Sequence, residues 1–226
     1  MIELLNIEKE YTSTYTSVQA LSNINLVFES GKFYGIMGPS GSGKSTLIQI
    51  IGLLSKPSSG SIKINGIEMT TLSEKEMSQF RKDELGFIFQ SFHLIQTMNV
   101  EENILLPLLI NNSLSKKEKI KKVDLLLKML GVDHRKKHYP NQLSNGEQQR
   151  VAIARAICNS PNIILADEPT GALDEKNTKK IFEILKKFSK EGKCVIVVCH
   201  DNIIRDYADE IICLNDGMAK LEAVDE

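Results

Sequence analysis

Tryptophan is absent from this 226-residue sequence, and its four cysteines do not form a pattern that holds a metal. No Cys-X-X-Cys pair occurs and no histidine lies at metal-ligand spacing, which disfavours a zinc site. We interpret the cysteines as reduced core residues of a cytosolic protein. They are Cys158, Cys194, Cys199 and Cys213.

Long apolar runs are also missing. The longest, centred on Val195–Val198, is far shorter than the roughly 20 residues that a membrane-spanning helix needs. No signal peptide is expected, because Met1 leads directly into an alternating pattern, Ile2–Ile7, that is typical of a strand. We therefore expect a chain that does not itself cross the membrane.

An excess of charge of either sign is lacking as well. The 28 basic and 29 acidic residues leave a formal net charge of -1, so no general attraction to nucleic acid or anionic lipid is expected. One predicted helix has a basic polar face, which we interpret as a solvated surface in preference to a lipid or phosphate site. Its lysines are Lys116, Lys117, Lys119, Lys121 and Lys122.

The N-terminal third of the chain has strand patterns followed by a glycine-rich loop. Strands at Ile24–Phe28 and Lys32–Met37 flank Glu29-Ser30-Gly31, a turn signal that predicts a β-hairpin. A helix is predicted from Thr46 to Leu53, and an alternating strand from Ser61 to Asn65.

The rest of the chain alternates between helical and strand patterns. Leu85–Phe89 predicts a buried strand, and the period becomes helical from Val100 to Leu130, with a capping box at Ser115 and Glu118. Another helix is predicted from Gly146 to about Cys158. Short apolar strands then recur at Ile163–Ala166, Cys194–Cys199 and Glu210–Leu214.

This alternation indicates an α/β fold with a mostly parallel sheet covered by helices on both faces, plus an N-terminal antiparallel β part. The 42% of hydrophobic residues is enough to build a substantial core. We predict a single domain over residues 1–226, in which 1–89 and 151–226 form the core and 90–150 form an inserted helical lobe.

The glycine-rich loop at Gly38–Ser45 matches the pattern G-x-x-x-x-G-K-[ST] and lies between a strand and a helix. Its backbone N–H groups and the helix N-terminus are suited to the phosphates of a nucleotide. Lys44 would contact the β- and γ-phosphates, and the Ser45 hydroxyl would bind Mg²⁺. A glycine-rich turn without a ligand is the alternative. The predicted ATP-binding residues here are Gly38, Pro39, Ser40, Gly41, Ser42, Gly43, Lys44, Ser45 and Thr46.

A second motif, Ile163–Glu168, is an apolar strand that ends in two carboxylates. Successive side chains on a strand point in different directions, so one carboxylate can reach Mg²⁺ while the next faces the attacking water. We assign Asp167 to the metal and Glu168 to the general base. The alternative is that the two acids only cap the helix that follows.

A third segment, Leu143–Arg150, reads LSNGEQQR. Ser144 offers a hydroxyl, Gly146 offers an open N–H, and the following helix presents its N-terminus, which together suit an anion. Taken alone, the segment is more typical of an ordinary helix cap.

In this order the motifs resemble the nucleotide-binding subunit of ATP-binding cassette (ABC) transporters over essentially the whole chain. Gly38–Ser45 is similar to the Walker A loop, Ile163–Glu168 to Walker B, and Leu143–Glu147 to the family signature. The stretches GFIFQSFHLI, NILLPL and ILADEPTGALD resemble the MacB/LolD type, which includes lipoprotein-release, macrolide-efflux and peptide-antibiotic-export ATPases. Further single-residue matches are Gln90 (Q-loop), Asp174 (D-loop), His200 (switch histidine) and Tyr11 (adenine stacking).

The resemblance implies ATP hydrolysis with Mg²⁺ in a dimer of two copies arranged head to tail. Lys44, Glu168 and His200 would be the catalytic residues. Ser45, Gln90 and Asp167 would hold the metal, with Tyr11 and Gln90 also in the nucleotide site. The partner copy's ATP would be bound in trans by Ser144, Asn145, Gly146, Glu147 and Asp174.

The resemblance also implies a separate membrane permease, which would hold this chain at the cytoplasmic face of the membrane. We expect docking near Ser91–Leu109, although the apolar NILLPLLI segment there can equally be core. Three residues depart from the family pattern: Asn145 replaces a usual glycine, Glu147 a common glutamine, and Cys199 a usual threonine. Asn145 tolerates left-handed angles, whereas Glu147 would repel a triphosphate unless it points away.

Two other classes of function stay open from the residues. One is a soluble ABC ATPase that acts on nucleic acid or ribosomes, although the paired cassettes, coiled-coil or zinc insertions typical of that class are not visible and no nucleic-acid partner is expected. The other is a nucleotide-binding module that does not hydrolyse, which intact Glu168 and His200 disfavour.

Overall fold

The computed structural model describes residues 1–13, 16–110 and 114–222. An antiparallel sheet at the N-terminal end has the strand order β2-β1-β4-β5. Its long strands β1 and β2 pair along most of their length, with irregularities in the register. Its strands are β1 (Ile2–Thr12), β2 (Ser17–Phe28), β4 (Ser59–Ile64) and β5 (Ile67–Glu68).

The second sheet forms the centre of the protein, in the order β10-β9-β3-β8-β7-β6. Neighbouring strands run parallel, except that β10 is antiparallel to β9. The mostly parallel sheet predicted from the sequence is confirmed. Its strands are β3 (Phe33–Met37), β6 (Leu85–Phe89), β7 (Ile163–Asp167), β8 (Cys194–Val198), β9 (Glu210–Asn215) and β10 (Met218–Glu222).

The predicted hairpin between Ile24–Phe28 and Lys32–Met37 is wrong. The first segment is the end of β2 and pairs with β1, whereas β3 pairs with β8 and β9 in the other sheet. All five residues of β3 are buried. This is typical of a central parallel strand and not of a hairpin strand with one solvent-exposed face. The turn between them carries the chain from one sheet to the other.

The helices largely follow the predicted positions, with some differences in extent. The helical region from Val100 to Leu130 consists of two helices, and the capping box of Ser115 and Glu118 is present at the start of the second. The first helix begins at Lys44, two residues before the predicted Thr46. The helices are α1 (Lys44–Ile51), α2 (Glu74–Glu84), α3 (Val100–Leu109), α4 (Lys116–Met129), α5 (Asn145–Ile157) and α6 (Glu175–Lys190), with short 3-10 turns at Asp133–Arg135, Pro140–Gln142 and Asn202–Asp206.

Helix α2 was not predicted, although its start carries a signal. Ser73 and Glu76 form a capping box, the same Ser-x-x-Glu spacing that marks α4. The helix is polar, and Met77 is its only buried residue. Its apolar periodicity is therefore too weak to be recognised in the sequence.

Alternation along the central strands divides the core into two layers. On β8, Cys194, Ile196 and Val198 pack with α1 and the antiparallel sheet. Val195 and Val197 point to the other face, toward α6 and the α3–α5 helices. The central sheet is therefore covered on both faces, as the sequence predicted.

The predicted lobe boundary at Arg150 falls inside α5. This helix contacts α3 and α4 on one side and β6 on the other, so it belongs to both parts of the fold. The division into residues 1–89 with 151–226 and 90–150 stays a prediction. Among the residues that the structure describes, no helix is both long and apolar enough to cross a membrane.

Candidate nucleotide-binding site

The phosphate loop, Gly38–Ser45, connects β3 to the start of α1. Gly43 caps α1 in a left-handed conformation, with φ of +105°, and a Cβ there would lie only 2.4 Å from the carbonyl oxygen of Ala20. Glycine is therefore required both by conformation and by close packing. The first turn of α1 directs its amides toward the loop, which suits phosphate oxygens.

Lys44 folds back over this loop. Its Nζ donates to the carbonyl oxygens of Gly38 at 2.9 Å and Pro39 at 2.6 Å, and the side chain is buried at 5% exposure. Burial lowers the pKa of Lys44, against the opposing effect of Glu168 and Asp167. A phosphate at the loop would give this ammonium group a charged partner in place of two carbonyl dipoles.

Asp167 ends β7 beside Ser45. Burial, followed by the nearby Glu168 carboxylate, raises the pKa of Asp167, and a hydrogen bond with Ser45 opposes the shift. Its Oδ1 is buried and has no hydrogen-bond partner among the residues that the structure describes. A hard cation between Asp167 and Ser45 would satisfy this oxygen, so the residues present fit Mg²⁺.

The protein supplies few ligands for such a metal. The described parts of the chain contain no cluster of three or more His, Cys, Asp or Glu side chains that could hold an ion. Gln90 follows β6 at the same edge of the sheet, and its Nε2 lies close to Gly171 just beyond the two carboxylates. Magnesium at this place would therefore depend on oxygens of the nucleotide itself, as is usual for this ion.

Glu168 and His200 meet above the loop. His200 Nε2 lies 2.7 Å from Glu168 Oε1, although the two residues leave different strands. Strand β7 ends at Asp167, and Glu168 has a left-handed backbone with φ of +48°. The divergence of the two carboxylates was expected from strand alternation, but that reason is wrong, because the left-handed turn redirects Glu168. Its N–H donates to Val198 O at 2.9 Å, which holds this turn against β8.

A cleft of about 330 Å³ joins these residues. It is lined by Tyr11 at one end and by Glu168 and His200 at the other, with the phosphate loop between them. Tyr11 is 46% exposed at the end of β1, so one face of its ring is available for stacking. The cleft thus brings together predicted nucleotide residues from four separate parts of the chain, whereas Gln90 and Asp167 do not line it.

The signature segment, Leu143–Glu147, lies elsewhere and forms a complete helix cap. Ser144 Oγ accepts from the N–H of Glu147, while Glu147 Oε2 accepts from both the N–H and the hydroxyl of Ser144 at 2.9 Å. Ser144 and Asn145 are exposed, whereas Gly146 is buried against Asn177. A Cβ on Gly146 would lie 2.9 Å from Asn177, so this glycine allows close packing of α5 on α6.

Two of the three departures from the family pattern lie in the signature segment, and they have distinct structural results. Asn145 is the first helical residue of α5, so tolerance of left-handed angles is not needed there; its Nδ2 donates to Ala172 O at 3.2 Å. Glu147 is turned away into its cap and pairs with Arg135, whose Nε lies 2.8 Å from Oε1. Although burial acts to raise it, the hydrogen bonds from Arg135 and Ser144 lower the pKa of Glu147 to about 2.

Arg135 is the residue of this region that sequence reasoning missed. It lies in the 3-10 turn after α4, with no motif around it, and twelve positions separate it from Glu147. Asp174, the other residue predicted to act in trans, accepts from Asn177 N at 2.8 Å and caps α6. Neither the signature segment nor Asp174 lines the cleft that contains Lys44.

Comparison with known proteins identifies similar chains. Residues 21–171 match the family model described as ABC transporter. Over 226 residues the chain is 47% identical to the uncharacterized ABC transporter ATP-binding protein MJ0796 of Methanocaldococcus jannaschii, covering 98% of this chain and 96% of that protein. It is 43% identical over 218 residues to the bacitracin export ATP-binding protein BceA of Halalkalibacterium halodurans, covering 96% and 86%.

A longer relative and two solved structures complete the comparison. The macrolide export ATP-binding/permease protein MacB of Chlorobium phaeobacteroides is 45% identical over 218 residues, which cover 96% of this chain but 33% of that protein. Two structures of MJ0796 align over 100% of both chains with TM-scores of 0.93, at 44% and 45% identity. Both are described as dimeric, and one as a post-hydrolysis state bound to ADP and Pi.

The close packing at Gly43 leads to a testable difference between two glycines of the loop. Gly43 and Gly41 both have positive φ, so alanine is strained by ~1–2 kcal/mol at either position, but a Cβ meets nothing within 4 Å at Gly41. We expect Gly43→Ala to weaken ATP binding at least about tenfold more than Gly41→Ala, measured by isothermal titration calorimetry. Equal losses would contradict the packing argument.

The environment of Glu147 leads to a pH dependence of stability. Its folded pKa of about 2 lies below the ordinary 4.5, so the ionised group stabilises the fold at pH 7 and this contribution is lost as the pH falls through 4.5 toward 2. The advantage of wild type over Glu147→Gln in unfolding free energy should shrink by about 1 kcal/mol from pH 7 to pH 4. Urea unfolding at both pH values measures it.

The control for this pH experiment is Glu175→Gln. Glu175 forms an exposed ion pair with Lys179, so solvent screens it and its pH-dependent difference should be smaller. A wild-type advantage over Glu147→Gln that stays constant between the two pH values would contradict the pairing of Glu147.

Proposed function

This chain belongs to the ABC transporter family as an ATP-binding ATPase subunit, and from that premise we propose that it drives a separate membrane permease through ATP-dependent pairing of two copies. The single observation that carries the proposal is the separation of the two anion-binding ends. The phosphate loop and its cleft contain no residue of Leu143–Glu147. Head-to-tail pairing supplies each cleft with the other copy's helix end, in agreement with the dimeric form described for MJ0796.

Within one cleft, Lys44 and the loop amides hold the β- and γ-phosphates in place. Glu168 takes the proton of the attacking water, and His200, 2.7 Å from Glu168, keeps that carboxylate oriented and contacts the γ-phosphate. Ser45 and Asp167, with Gln90, would hold Mg²⁺, which would supply positive charge to offset the charge on the phosphates. Tyr11 stacks on the adenine.

Across the pair, the partner's Ser144, Asn145, Gly146, Glu147 and Asp174 contact the same nucleotide. ATP favours the closed pair because it touches both surfaces, and hydrolysis removes those contacts. The closing of the pair with ATP and its opening after hydrolysis act as a switch. A permease at the membrane converts this opening and closing into movement. The chain is therefore peripheral, at the cytoplasmic face of the membrane.

The proposed permease surface comprises Ser91–Leu109 and the adjoining Ile110. Val100, Ile104 and Leu108 are fully buried on α3, which supports the core interpretation for those residues. At the end of this helix the apolar side chains of Leu109 and Ile110 are 55% and 63% exposed, and they can meet a partner. The transported substance is a macrolide or a peptide antibiotic, in line with the names of the MacB and bacitracin-export relatives, or a lipoprotein, as the MacB/LolD resemblance implies.

Replacing the general base tests the catalytic assignment. Glu168→Gln should bind ATP but hydrolyse it about 10²–10⁴ times more slowly, because water then lacks a proton acceptor. With ATP bound, this variant should form dimers in light scattering. Glu175→Gln, an exposed acid on α6, is the control and should hydrolyse ATP normally. Wild-type turnover by Glu168→Gln, or monomers at saturating ATP, would overturn the assignment.

The permease surface is tested by copurification from membranes. Leu109→Asp combined with Ile110→Asp should reduce the amount of integral membrane protein recovered with the chain, because two charges replace exposed apolar contacts. Leu125→Asp, at a similarly exposed position on α4, is the control. Undiminished recovery with the double variant would exclude this surface. Recovery of nucleic acid or ribosomes in place of a membrane protein would favour the soluble class of ABC ATPase.

A further inference from the structure

The two oxygens of the Glu147 carboxylate have different hydrogen-bond partners. Oε2 completes the cap of α5 by accepting from the N–H and hydroxyl of Ser144, both at 2.9 Å. Oε1 accepts from Arg135 Nε at 2.8 Å. The side chain of Glu147 is only 12% exposed, so its charge is poorly screened by water.

This charge lies where the proposed function places a triphosphate from the partner copy. A carboxylate in the first turn of a helix favours the helix itself but disfavours a second anion at the same end. Arg135 supplies a permanent positive charge that offsets it, since a guanidinium keeps its proton at any physiological pH. The flanking histidines cannot replace it reliably, because His134 is 57% exposed and 3.4 Å from Glu147, and His138 contacts Arg135 instead.

We infer that Arg135 is a positioning residue for the trans site, which holds Glu147 in the cap and neutralises it so that the exposed Ser144 at the start of α5 can face the partner's γ-phosphate. This inference rests on the proposed function. The requirement follows from the glutamate: a glutamine at position 147 also completes a capping box but carries no charge that must be offset. Arg135 should therefore matter in proportion to the charge at position 147.

A double-mutant cycle in the Glu168→Gln background tests this dependence. The parent, Arg135→Gln, Glu147→Gln and the double variant are titrated with ATP, and dimer formation is followed by light scattering. With Glu147 present, Arg135→Gln should raise the half-saturating ATP concentration about tenfold, as expected for loss of one charged hydrogen bond. With glutamine at position 147, the same substitution should raise it less than about twofold.

One control separates this effect from general damage. Arg205→Gln breaks an exposed ion pair with Glu222, 3.0 Å long and outside α5, and should leave the titration unchanged. If Arg135→Gln does not fold, Arg135→Lys replaces it in the cycle, with a smaller shift expected.

Three outcomes would overturn the inference. If Arg135→Gln left the half-saturating ATP concentration unchanged, Arg135 would not be needed for the trans site. An equal effect with glutamate and glutamine at position 147 would show that Arg135 acts independently of Glu147. Failure of the parent Glu168→Gln protein to dimerise with ATP would overturn the proposed function first, and the inference with it, so the two failures are distinguishable.

Discussion

The parallel register of the central sheet places the candidate catalytic groups of this protein. Ile36 on β3 lies opposite Val198 on β8, Val198 opposite Asp167 on β7, and Asp167 opposite Phe89 on β6. The chain leaves each strand at this row, so the phosphate loop, His200, Glu168 and Gln90 emerge side by side. Parallel strands present their carboxyl ends at one edge, and the ligand site of an open α/β sheet lies there. Ile36, Phe89, Asp167 and Val198 therefore form one row across the four neighbouring strands.

Burial then adjusts the chemistry of that edge. Within the described part of the chain, one buried oxygen of Asp167, beside Ser45, has no hydrogen-bond partner, so a cation could satisfy it. The left-handed turn at Glu168 directs the next carboxylate toward His200. The same principle acts at the signature segment, where Arg135 holds Glu147 ionised inside its cap. In both places the surroundings shift the pKa of a carboxylate: burial raises that of Asp167, and, against the effect of burial, the hydrogen bonds from Arg135 and Ser144 lower that of Glu147.

Motifs made of contiguous residues were predictable from the sequence. The phosphate loop, the Asp167-Glu168 pair and the Ser144 cap each depend on spacing within a few residues, and the local chain conformation follows from glycine freedom or capping chemistry. The fold class followed from the alternation of strand and helix patterns. The hairpin between β2 and β3 was mispredicted, because a turn signal does not reveal which strand each arm will pair with.

The sequence by itself therefore determined the motifs made of neighbouring residues: the nucleotide loop, the paired acids and the helix cap. Contacts between distant segments required the folded chain, because pairing partners are chosen by burial and register over the whole core. The approach of His200 to Glu168 and the ion pair of Arg135 with Glu147 belong to this second kind. Each depends on two elements whose relative position is set by packing, which no local pattern encodes.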